Sequence, residues 1–149
     1  MESTVLKPII LVTEGATDIA VICSLIDTAG RIIYPVEAGG YHNIASTLRT
    51  MYLMYGDDYN YIAAFDSDSE MPSVKQEKLS MIRYLSKADM HTDIIGVFCF
   101  SKDIESELGI SFAEKRDKGL LVQALQQRGD QMRQSETIRE IQQFIDGLR

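Results

Sequence analysis

The sequence predicts an α/β domain built on a four-stranded, mainly parallel sheet flanked by helices. Short apolar, β-branched runs alternate with stretches of helical periodicity, in the order strand, helix, strand, helix, strand, helix, strand. Each polar cluster follows a strand run, as it does where a parallel sheet gathers its strand ends on one rim. The length of 149 residues suits one domain with its own core. No internal repeat, low-complexity tract or linker rich in Gly, Pro or Ser divides it.

PIILV (8–12) is β-branched and unbroken by polar residues, as in a buried strand. TEGATD (13–18) turns the chain. From 18 to 29, apolar residues at 19, 21, 22, 25 and 26 keep a helical spacing, and Gly30 is the expected C-cap. RIIYPV (31–36) reads as a second strand, which Pro35 confines to an edge or brings to its end. EAGG (37–40) is a turn. Ile44, Leu48, Met51 and Tyr55 stripe a helix over 43–55, with Asn43 as N-cap and Gly56 as C-cap. YNYIAAF (59–65) is a third strand and DSDSEMPS (66–73) a loop. A helix from Pro72 or Ser73 to about residue 88 follows. DIIGVFCF (93–100) is the fourth strand. After SKDIESELG (101–109) the pattern turns helical, again around 117–128 and 135–148. The expected division is an α/β unit over 1–110 and a helical extension over 111–149 packed on the same domain. In the extension, Ile138, Ile141, Phe144, Ile145 and Leu148 share one stripe. Such a stripe packs on its own domain, or serves as a docking helix or a dimer seam.

No apolar run approaches the length of a membrane span, so no membrane partner is expected. MESTVLKPIILVTEG starts acidic and lacks the pattern of a secretory signal, which implies a cytoplasmic protein. Cys23 and Cys99 match no zinc or redox spacing and are expected as small buried hydrophobes. The formal net charge of −7 lacks the basic face of a nucleic-acid binder. Phosphate would be repelled unless bound cations or a basic partner intervene.

Asp66 and Asp68 lie two apart at a strand end. In extended backbone both carboxylates point one way and Ser67 points the other. Paired hard oxygens suit Mg²⁺ or Mn²⁺, and two such carboxylates repel unless a proton or cation sits between them. The plainer reading is a capped turn with solvated acids. Glu14 follows the first strand and precedes Gly15, which permits a tight turn; it is a candidate metal ligand or general acid/base. Asp18 reads as a helix N-cap or as a first-turn acid favoured by the helix dipole. Gly39 and Gly40 precede a helix start, where backbone amides bind phosphate; with Gly15 and His42 they form the phosphate-contact candidates. His42 reads equally as a solvated loop histidine. If 103–108 is helical, Asp103 and Glu107 share a face and Glu105 does not, so the three cannot serve one ion.

ILVTEGATD (10–18), AGG (38–40) and AAFDSDSE (63–70) together resemble the TOPRIM domain, shared by topoisomerases, primases, RNA-maturation nucleases and OLD-family (overcoming-lysogenization-defect) nucleases. Its signature is a Glu after the first strand, usually followed by Gly, and an Asp-x-Asp after the third. Aspartyl-phosphate phosphatases place their Asp-x-Asp after the first strand instead. The resemblance covers about residues 7–108. It implies that Glu14 acts as general acid/base or metal-associated carboxylate, and that Asp66 and Asp68 hold Mg²⁺ or Mn²⁺, with Glu70 a further candidate ligand. The Gly that follows Asp-x-Asp in topoisomerases and primases is absent from DSDSEMP. VFCFSKDIESEL (97–108) is closer to the OLD arrangement, in which an acid after the fourth strand joins the metal site; this raises Glu105 above Asp103 and Glu107. The implied activity is metal-dependent cleavage of nucleic-acid phosphodiester bonds, of DNA before RNA. OLD-type domains often work with an ATPase, and some act in defence against phage. GxxxxGK[ST] is absent, so such an ATPase would be a separate polypeptide. The alternative is a non-catalytic or partner-activated module in a larger assembly.

Overall fold

A computed structural model describes residues 5–148 of the chain. Strands β1 (Ile9–Thr13), β2 (Ile33–Glu37), β3 (Asn60–Asp66) and β4 (Ile95–Phe100) form one all-parallel sheet in the order β2-β1-β3-β4. The connecting helices are α1 (Ala16–Leu25), α2 (Ile44–Tyr55) and α3 (Pro72–Ser86). After β4 come α4 (Ile104–Leu108), α5 (Phe112–Arg116), α6 (Lys118–Met132) and α7 (Glu136–Asp146). The expected α/β fold, with its four-stranded parallel sheet and flanking helices, is the observed one.

Alternating strand residues build two cores. Ile9, Leu11, Ile62, Ala64 and Phe100 pack against α1, α4, α6 and α7. Ile10, Val12, Tyr61, Ala63 and Phe65 pack against α2 and α3 on the other face. With both faces covered, β1 is buried at all five positions, which is why its sequence is an unbroken apolar run. On α7, Ile138, Ile141 and Ile145 are buried in the first core, and Phe144 meets Phe98 edge-on at 5.8 Å. Three of the five stripe residues therefore pack inside the chain, while Phe144 and Leu148 are partly buried against the same core.

Both edges of the sheet are interrupted. The carbonyl of Ile32 and the amide of Ala38 bond to β1, so even-numbered residues of β2 face inward and residues 33, 35 and 37 face the free edge. Pro35 stands there without an N–H, as its edge assignment from sequence requires. On β4, the free-edge carbonyls of Val97 and Cys99 accept hydrogen bonds from Arg83 (3.4 Å) and Thr137 Oγ1 (3.3 Å).

Three local expectations change. Helix α1 ends at Leu25, not near residue 29 with a Gly30 cap. Gln142 clamps both backbone groups of Asp27, and Arg133 takes the carbonyls of Ser24 and Leu25, so long-range partners end the helix early. Asn43 contributes no side-chain cap to α2, which instead grows from a short 3₁₀ turn, Tyr41–Asn43. Cys99 is buried, but Cys23 is exposed on the outer side of α1. Among the described residues, no helix is long and apolar enough to cross a membrane.

Candidate functional site

In the order β2-β1-β3-β4 the chain leaves β1 toward one side and returns on the other. The crevice between the ends of β1 and β3 is therefore the switch point, where open α/β sheets bind ligands. Glu14 leaves β1 at this crevice and Asp66 is the last residue of β3. The two are joined directly: the Asp66 amide donates to Glu14 Oε2 at 3.3 Å. Asp66 Oδ1 accepts the amide of Ile104, the first residue of α4, at 2.9 Å. One hydrogen bond fixes each carboxylate, and their remaining oxygens are free of described partners.

Asp18 and Glu105 complete the group. Burial pushes Asp66 up to about 8, reinforced by the charges of Asp18 and Glu14 and opposed by the Ile104 amide. Burial likewise pushes Asp18 up to about 6, helped by Glu105 and Glu14 and opposed by Lys115. Glu14 is raised by burial, against the Asp66 amide, with Asp68 and Glu105 adding to the rise. Glu105 is 15% exposed and pairs with Lys115 of α5 at 3.0 Å, and that bond raises Lys115. Four carboxylates thus feel one another's charge in one half-buried place.

Asp68 departs from the geometry expected of it. Its φ is +54°, so the extended backbone that would align it with Asp66 ends one residue earlier. Its side chain is 65% exposed and lies 3.9 Å from Lys78. It stays near enough to raise Glu14 but does not point with Asp66. The cause is Ser67, which turns away as expected but is also buried. Its hydroxyl accepts the Lys102 amide (2.8 Å) and donates to the Ser69 carbonyl (2.8 Å). Lys102, itself at φ +61°, accepts the Asp68 amide, so two left-handed residues lock this loop to the one after β4.

The other candidates separate. Glu70 is exposed and lies against Lys102 at 3.5 Å, away from the carboxylate group. Asp103 caps α4 through the Ser106 amide. Glu107 anchors α7 by accepting the Ser101 amide and both the amide and hydroxyl of Thr137. Gly39 uses its N–H on the Glu14 carbonyl at 3.1 Å, so it holds the β1 exit and has no amide for phosphate. Gly40 has φ +134°, a conformation that demands glycine. Gly15 is extended, with nothing within 4 Å of where a Cβ would stand. His42 is exposed, edge-on to Tyr41 at 5.7 Å.

Sequence reasoning missed three neighbours. Asp18 was legible as a carboxylate four residues after Glu14, though its capping chemistry hid it. Lys78 sits 4.4 Å above the Tyr41 ring and faces Glu14. Tyr41 packs on Phe65 at 5.4 Å. No spacing rule links these two to the rim.

Carboxylate oxygens are the donors that Mg²⁺ and Mn²⁺ take, so the set fits such an ion in kind. Among the described residues, however, no three His, Cys, Asp or Glu side chains close into a ready metal-binding group. Asp68 and Glu105 pair instead with Lys78 and Lys115. No family model matches the chain, and no curated protein or solved structure matches it.

Proposed function

We propose that the chain is a metal-dependent phosphodiesterase of the TOPRIM type that cleaves nucleic-acid backbones, DNA before RNA. The observation that supports this best is the group Glu14, Asp18, Asp66 and Glu105, facing one another at the switch point of a parallel sheet. Asp66 and Asp18 would hold Mg²⁺ or Mn²⁺, with Asp68 and Glu105 beside them. Such an ion supplies positive charge against the attacking and leaving oxygens of phosphoryl transfer. Glu14, oriented by the Asp66 amide and raised by burial, is the candidate proton carrier. Lys78 and Lys115 add fixed positive charge for a phosphate in an otherwise acidic protein.

The test incubates the purified chain with single- and double-stranded DNA and RNA, with Mg²⁺ or Mn²⁺, at pH 8. The expected result is cleavage that falls at least about 100-fold in Asp66→Asn and in Asp18→Asn. Activity that persists in the double variant sinks the proposal. In parallel, millimolar Mn²⁺ is expected to raise the melting temperature by about 2–5 °C, and not in Asp66→Asn.

A second reading is a partner-activated module, working with a separate ATPase. It is favoured by the carboxylates that do not close among the described residues and by the net charge of −7. Its signature is Mn²⁺ stabilisation without cleavage by the chain alone.

A further inference from the structure

The helix layer over the second core does not reach the outer edge of the sheet. Tyr34 and Val36 of edge strand β2 are left beside α2. With Ile10, Met51, Tyr55 and Tyr59 they line an open groove of about 370 Å³. Three tyrosine rings form its walls. Tyr34 and Tyr59 are tilted by 53° with centroids 6.3 Å apart, and Tyr55 and Tyr59 by 52° at 5.2 Å. The floor is aliphatic and thioether: Ile10, Val36 and Met51. The short turn Gly56–Asp58 joins Tyr55 to Tyr59 and carries two exposed aspartates beside these residues in the chain. Asp57 Oδ1 accepts the Tyr52 hydroxyl, whereas Asp58 has no ion pair among the described residues. Lys7 donates its ammonium to the Asp57 carbonyl rather than to either carboxylate.

We propose that this tyrosine groove docks an arginine side chain on a segment of a basic partner protein. Ring faces attract a guanidinium and stack on its plane, and a greasy floor takes its methylene stem. Asp58, next to Tyr59 in the chain, supplies the local negative charge, and the chain's net charge of −7 steers a basic partner toward it. Other occupants fit less well. A nucleic-acid strand would bring phosphates against Asp57 and Asp58. An added β-strand would need an N–H from Pro35 at the free edge, which proline lacks. A second copy would carry the same charge of −7 into the contact. The groove is independent of the carboxylate rim: Tyr59 precedes β3 and Asp66 ends it, about 20 Å of strand apart.

The test titrates the full chain with a blocked Gly-Arg-Gly-Arg-Gly peptide. Binding is followed by NMR of ¹³C-methyl methionine, with the Met51 signal assigned from Met51→Leu, and of the tyrosine rings. The control is the same peptide with citrulline, which keeps the shape and removes the charge. The expected result is shifts at Met51 and the groove tyrosines that vanish with citrulline and weaken with added salt. Tyr34→Ala and Asp58→Asn should each weaken binding about two- to fivefold. Tyr34 is 47% exposed and Asp58 is fully on the surface, so both variants keep the fold, checked by circular dichroism. Equal binding of the citrulline peptide overturns the proposal, as does insensitivity to both substitutions. Groove signals that move with protein concentration alone, alongside a doubled sedimentation mass, assign the groove to a second copy and also overturn it.

Discussion

Burial is the first reason that Asp66 holds a proton up to about 8, and it sets the sign of the pH dependence. An aspartate in an unfolded chain titrates near 4. Between these values the native state binds a proton that the unfolded state has lost, so stability from Asp66 is present below about pH 4 and is lost as pH rises through about 8. Asp18, raised to about 6, acts in the same direction over a narrower window. With chelator present, Asp66→Asn is therefore expected to raise the melting temperature at pH 8 by about 2–5 °C and to change it little at pH 4. The asparagine oxygen keeps the bond from the Ile104 amide. A variant less stable than the parent at pH 8 would mean that Asp66 is not desolvated as described. Gly15 permits a second residue-scale test. Its backbone is extended and open, so Gly15→Ala should fold, with a melting temperature about 2–4 °C below the parent because alanine is a poorer N-cap of α1. Lost nucleic-acid cleavage in that folded variant would report close approach of substrate at this backbone.

At the scale of elements, β4 shows how a strand and a helix set each other's distance. A Cβ on Gly96 would stand 2.7 and 2.9 Å from atoms of the Phe98 ring and 3.0 Å from the Phe144 ring of α7. The glycine is there because two aromatic rings close over it, not because of an unusual φ. Gly96→Ala is expected to cost about 1–3 kcal/mol, read as a lower denaturation midpoint at unchanged slope. An unchanged midpoint would show that α7 rides freely on β4. Two further contacts argue that it does not. Thr137 bonds to the Cys99 carbonyl, and Glu107 holds both polar groups of Thr137. The same pairing of elements explains the loops on the rim. Ser67 and Lys102 tie the exit of β3 to the exit of β4, which leaves Asp68 left-handed.

At the scale of the molecule, both sheet edges are interrupted by different means: Pro35 on β2, and the side chains of Arg83 and Thr137 on β4. Pro35→Thr restores an outward N–H on a short β-branched strand. Size-exclusion chromatography with light scattering is expected to show more association for this variant at high concentration, and unchanged mass would mean the edge is shielded by charge alone. The alternation of apolar runs and helical stripes determined the α/β class, because a sheet buried on both faces requires unbroken apolar strands such as IILV. The same pattern placed Glu14 and Asp66 at strand ends. It also marked Pro35 as an edge residue and the stripe of α7 as apolar. What the sequence left open was which acids share a space. Asp18 joins Glu14 and Asp66 because α1 starts at the switch point, and strand order is a matter of tertiary pairing. Asp68 leaves the pair because a buried serine bonds across to another loop 35 residues away. Periodicity along a chain reports which face a residue takes. It does not report register between distant strands or the φ of a loop residue, and those two quantities decided the composition of the rim.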